Sequence, residues 1–118
     1  MSLFDLFRSG HAPPAIAPSA LLGCWRLTRA DAHLDLGEQA RLEFRAGNDL
    51  RCTFVSKGQV RELQLAYWLE GDTLVTDQAS APREQRLQVH LESPTVLRLN
   101  YGGALAWFER TDCDSLGP

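Results

Sequence analysis

Asp31, His33 and Asp35 stand at alternate positions in ADAHLDLGE, residues 30–38, so an extended backbone turns all three to one side. Such a triplet has the makings of a metal site or an acid–base relay. A solvated connection in which Asp35 favours a turn explains the same residues, and that is the reading adopted. The other histidines are less suited: His11 lies in a proline-rich stretch, and His90 shares the strand phase of Gln88 and Glu92, which faces water. Only His33 could swing over an open end, so haem ligation is not expected. Cys24, Cys52 and Cys113 are odd in number and far apart, with no C-x-x-C and no histidine at zinc-finger spacing. They predict neither a disulfide framework nor a structural zinc site, and they fit a reducing cytoplasm. Cys113 lies between Asp112 and Asp114, neighbours that disfavour a thiolate, so it is not read as a nucleophile. No Ser-His-Asp arrangement, glycine-rich phosphate loop or pair of inward carboxylates stands out. No catalytic residue, cofactor or metal is therefore assigned, and an enzyme would need a site that these motifs do not show.

The elements that position these residues read as strands throughout. With 118 residues the chain suits one ordinary domain. Its 15 acidic and 12 basic residues are scattered, giving a net charge of −3 and no basic stripe, which argues against nucleic acid as a partner. No apolar run approaches the length of a membrane span. The opening MSLFDLFRSG has too short a hydrophobic run for a secretory core, so it is not read as a signal peptide. HAPPAIAPSA, residues 11–20, holds three prolines and reads as an extended spacer. Residues 1–20 are thus expected to form a flexible leader, 21–112 the folded domain and 113–118 a tail.

From Leu21 onwards, short apolar runs alternate with turn chemistry. Eight runs emerge: 22–29, 39–45, 50–57, 59–70, 72–76, 84–92, 95–101 and 104–111. Gly47-Asn48-Asp49, Lys57-Gly58, Gly71-Asp72, Ser93-Pro94 and Gly102-Gly103 join neighbours as hairpins, leaving long connections only at 30–38 and 77–83. Within the runs Leu63, Leu65, Tyr67 and Leu69 share one face, as do Leu42 with Phe44, Leu87 with Val89 and Leu91, and Leu97 with Leu99 and Tyr101. One apolar face and one wet face, repeated without a helix, predict an all-β, eight-stranded antiparallel up-and-down barrel, whose closure removes the unpaired edges.

Gly23 and Trp25 form a Gly-x-Trp on the first strand, and Arg110 ends the last strand in WFERTD. With the strand count and the long loop after strand one, these residues resemble the lipocalin-like (calycin) barrels over roughly residues 21–112, and among them the compact bacterial domains. The resemblance implies that Trp25 plugs the closed end and Arg110 lies across its face, a cation–π contact that excludes water. Compared with secreted lipocalins, the chain is shorter, lacks a helical pattern after the last strand and is expected to have no disulfide tying its tail.

An eight-stranded barrel either packs solid or encloses one small ligand. Two functions follow, beside a third reading as an enzyme or isomerase using the barrel mouth. In the first, a small apolar or aromatic ligand sits inside, in contact with Phe44, Phe54, Leu65, Tyr67, Thr76 and Tyr101, beneath the 30–38 loop as a lid; Tyr67, Tyr101 and Thr76 orient it, and Cys52 is a further polar handle. In the second, the barrel is filled and the protein is an interaction module, forming a homodimer or binding a protein partner. Its surface is then the outward Trp68, Leu105 and Trp107 together with the leader. The leader's Leu3, Phe4, Leu6 and Phe7 fall on one side of a short helix, too short to be stable alone and suited to docking.

Overall fold

Alternating inward leucines and outward polar residues leave each segment with one face to bury, and the chain satisfies all eight segments by rolling them into a single sheet. The computed structural model describes residues 16–32, 36, 38–78 and 83–113. The strands are β1 (Gly23–Ala30), β2 (Glu38–Arg45), β3 (Asp49–Ser56), β4 (Gln59–Glu70), β5 (Thr73–Asp77), β6 (Gln85–Ser93), β7 (Val96–Tyr101) and β8 (Ala104–Thr111). Each pairs antiparallel with the next, and β1 pairs with β8 to close the barrel. The boundaries lie within one residue of those read from the sequence. Lys57 and Gly58 both have positive φ, 54° and 76°, the backbone of the two-residue turn whose twist matches the flanking strands. Asn48 carries out a similar task at longer range: its side-chain amide donates to the Tyr67 carbonyl at 2.8 Å, and its own carbonyl accepts the Tyr67 N–H at 3.0 Å. The β2–β3 turn is thereby pinned to β4.

The core follows the expected phase on nearly every strand. Trp25, Phe44, Leu74, Leu97, Leu99 and Phe108 are fully or almost fully buried. Leu50 and Ala106 join them in phase with their strands, and Leu21 enters from the chain preceding β1. Leu63 departs from the expected interior, with 37% of its surface exposed. Its strand explains why: β4 pairs with β5 only from Ala66 to Glu70 and with β3 from Gln59 to Ala66, so residues 59–65 project beyond the ring with β3 as their one strand neighbour.

The end of the barrel where β1 begins is closed by Trp25. Within the stretch read as an extended spacer, Pro18–Ala20 forms one turn of 3-10 helix that caps this end. The indole N–H of Trp25 donates to the Leu21 carbonyl at 2.9 Å. Arg110, paired in register with Trp25, stacks its guanidinium 4.2 Å from the centre of the Trp25 rings. The same guanidinium donates to the carbonyls of Leu22 (2.7 Å), Ala20 (2.8 Å) and Pro94 (3.3 Å). Gly23 makes room for it: a Cβ at that position would lie 2.7 Å from the Arg110 Nη1, and φ is +116°, a backbone that favours glycine.

One expectation is overturned outright. Cys24 and Cys113 form a disulfide, with Cα atoms 5.2 Å apart, so the absence of a tail-tying bridge read from the sequence is incorrect. The cause is closure. Pairing of β1 with β8 sets Cys24 opposite Thr111, which carries Cys113 alongside although 89 positions separate the two cysteines. Cys113 is thereby tied to β1, and Cys52 is the cysteine left unpaired.

A loop this long gives a cross-link a large effect on the unfolded chain. Cys113→Ser, or reduction, is expected to lower stability by about 3 kcal/mol, read as a fall in the urea midpoint that reductant no longer enlarges in the variant. Gly23→Ala is expected to cost about 2 kcal/mol through backbone strain and displacement of Arg110, measured by the same unfolding curves.

Candidate functional site

The open end of the barrel is framed by the ends of β1 and β5, the starts of β2 and β6, and the β3–β4 and β7–β8 turns. Below it lies a cavity of about 360 Å³. Its deep wall is apolar, built from Leu42, Leu50, Leu74, Leu87, Leu99 and Phe108. Nearer the mouth stand Leu36, Phe54, Ser56, Leu63, Leu65 and Gln85, with Cys52, Thr76 and Tyr101 as polar groups on β3, β5 and β7. The overhang of β4 accounts for the opening, because where β5 stops pairing with it the ring no longer draws tight and Leu63 and Leu65 border the cavity.

Four of the six residues expected to touch a ligand line this cavity: Phe54, Leu65, Thr76 and Tyr101. Phe44 and Tyr67 do not belong to its wall. They are packed edge to face, ring centres 5.1 Å apart, both buried within the core. Both point inward as the alternation requires; what the alternation does not contain is their height along the barrel. Among cavity residues the reading omitted, Leu50 alternates with Cys52 and Phe54 and was recoverable from phase alone. Gln85 and Ser56 come from strand ends, where phase carries less information.

Burial sets the protonation of the polar groups. It pushes the Cys52 thiol up to about 11. The Tyr101 hydroxyl is also raised well above its ordinary value, first by burial and then by the neighbouring Cys52, and Tyr67 is raised by burial. At neutral pH these groups are uncharged hydrogen-bonding groups.

The remaining candidates disperse. Asp31 is a structural residue: its carboxylate accepts the Leu105 N–H at 2.8 Å, and its own N–H donates to the Leu105 carbonyl at 2.9 Å, fastening the end of β1 to β8. His33 and Asp35 lie outside the described residues, as do Phe4 and Phe7. His90 is exposed on β6. Cys24, Glu43 and Cys113 lie close enough together to suggest a metal site, but the two sulfurs are bonded to each other and offer no thiolate.

Trp68 and Trp107 are both half-buried on the outer face. Trp68 donates its indole N–H to Glu70 at 3.1 Å, and Trp107 lies under the Arg29 guanidinium at 4.5 Å. They occupy β4 and β8, diametrically opposite in an eight-stranded ring, so Trp68 shares no patch with Leu105 and Trp107. Glu70 is held below the usual carboxylate range by hydrogen bonds from Arg86 and Trp68.

A closed, eight-stranded up-and-down barrel with a first-strand tryptophan under a last-strand arginine is a lipocalin-like fold. The chain is similar in structure to a lipocalin-like protein from Bacteroides uniformis, with TM-score 0.61 and 17% identity over 78% of this chain and 99% of that one. It is also similar to an uncharacterized protein from Bacteroides eggerthii, with TM-score 0.59 and 18% identity over 77% of this chain and 99% of that one. No protein-family model matches the sequence, and no curated protein matches it. Among the described residues no helix is long and apolar enough to cross a membrane.

Because burial holds the Cys52 proton, alkylation of its thiol by a small uncharged reagent is expected to be slow at pH 7.5 and to climb toward a midpoint near 11. Mass spectrometry of the labelled protein across pH 7–11 measures this, with Cys52→Ala as the blank; a plateau by pH 9 contradicts the burial described.

Proposed function

We propose that this protein is a non-enzymatic, lipocalin-like binder of a small apolar or aromatic ligand held inside the barrel. The observation that carries the reading is the cavity of about 360 Å³, within the roughly 300–1,000 Å³ range of small-molecule sites and with eight leucines in its wall. Phe54 and Leu65 supply apolar contact, while Thr76 and Tyr101 orient the ligand. An interaction module with a filled barrel fits less well, since that space is not filled and the outer tryptophans face opposite ways. The Cys24–Cys113 bridge supports action in an oxidising compartment in place of the cytoplasm expected from the cysteine count.

The test uses N-phenyl-1-naphthylamine, an uncharged fluorescent apolar probe. Binding to the oxidised full-length protein is expected to raise its emission in a saturable, one-to-one manner. Leu65→Trp, which fills the cavity from its wall, is expected to weaken that binding at least tenfold while leaving the far-ultraviolet circular dichroism of the barrel unchanged. Undiminished binding in the variant places the ligand elsewhere, and no binding by the parent protein removes the proposal.

A further inference from the structure

We infer that the cavity selects ligands with an uncharged polar end, such as an amide, ketone, ester or alcohol, and rejects the corresponding carboxylates and amines. The inference rests on the carrier reading above and adds what the chemistry of the wall says about the ligand's head group.

The polar groups are not spread evenly. Leu50, Leu74, Leu99 and Phe108 make the deep part a hydrocarbon surface, with no polar atom to receive a ligand's head. Thr76 lies next to the last residue of β5 and Tyr101 ends β7, both toward the open end, and Cys52 faces the cavity from β3. A ligand that buries its apolar part therefore enters that end first, leaving its polar end level with a hydroxyl, a phenol and a thiol. All three are neutral groups that donate hydrogen bonds, and the two hydroxyls accept them as well. They satisfy a carbonyl or an alcohol. They do not neutralise a full charge, and moving an unpaired carboxylate or ammonium from water into such a site is strongly unfavourable.

Burial of Cys52 and Tyr101 reports the same property from the protein's side, since the environment holds both in their uncharged forms. Arg41 is the one charged residue of the wall among those described. It lies between Ala40 and Leu42, both buried, so strand alternation carries its side chain to the outer face. It also pairs with the exposed Arg26 on β1, which agrees with an outward side chain on a residue that borders the cavity.

Displacement of N-phenyl-1-naphthylamine by a matched series tests the selectivity: decanamide, decanoate and decylammonium, identical in chain length and different in charge. At pH 7.5 decanamide is expected to compete at least tenfold more strongly than either ion, and decanoate is expected to gain as pH falls to 4.5 and it takes up its proton. Thr76→Val and Tyr101→Phe, which keep the shape of the wall, are each expected to weaken decanamide about threefold or more and to leave N-phenyl-1-naphthylamine unaffected. Decanoate binding as tightly as the amide overturns the selectivity alone, and loss of that tight binding in Arg41→Gln then assigns it to capture by Arg41. Failure of the probe itself to bind overturns the carrier reading with it.

Discussion

The guanidinium of Arg110 is the point on which the closed end of the barrel depends. It lies flat on Trp25 and at the same time holds the carbonyls of Ala20, Leu22 and Pro94, so it joins the chain preceding β1, the first strand, the β6–β7 turn and the last strand. A planar fork with donors on several edges can do this; a lysine ammonium on the same stem cannot span the three acceptors while covering an aromatic face. Gly23 is the accommodation the backbone makes for it. Trp25 in turn fills the floor with a side chain that is completely buried, its one polar atom satisfied by Leu21. The disulfide closes the same end from outside, linking the two terminal strands beside the Trp25–Arg110 pair.

With one end so heavily fastened, the other is free to differ. The β3–β4 hairpin outgrows its neighbours, and β5 supports only the inner half of β4. The ring therefore has a packed half, where Trp25, Phe44 and Phe108 meet, and an open half, where leucines face a space. That division links packing to function: rigidity comes from the closed end, and room for a ligand comes from the unmatched strand lengths at the open end. The ion pairs on the outer wall, such as Arg45 with Glu43 and Asp49 or Arg86 with Glu70, are solvent-accessible and contribute little to holding this shape. They keep the outer face wet and the strand phase unambiguous.

Most of the fold was legible because a strand writes its orientation into sequence with a period of two. Leu87, Val89, Leu97 and Leu99 declared which face is buried, and Lys57-Gly58 and Gly102-Gly103 declared where neighbours fold back on each other. Less of the candidate site was legible. Phase places Phe44 and Phe54 on the same inner surface, yet only Phe54 borders the cavity, because position along the barrel axis depends on how far each strand runs past its partners. The outer tryptophans illustrate the same gap: the phase of Trp68 and Trp107 within their strands does not say that closure sets those strands on opposite sides.

The sequence by itself thus determined the strands, their turns and which side chains face inward, since each of these is decided by residues within a few positions of one another. Tertiary structure alone decided the Cys24–Cys113 bond, the turn of helix held under Arg110 and the existence of the cavity. These arise between residues far apart in the chain, at distances set by closing β1 onto β8 and by the mismatch of strand lengths around the ring. Odd, widely spaced cysteines look unpaired when counted along a line; on a closed barrel the first strand and the end of the last are neighbours.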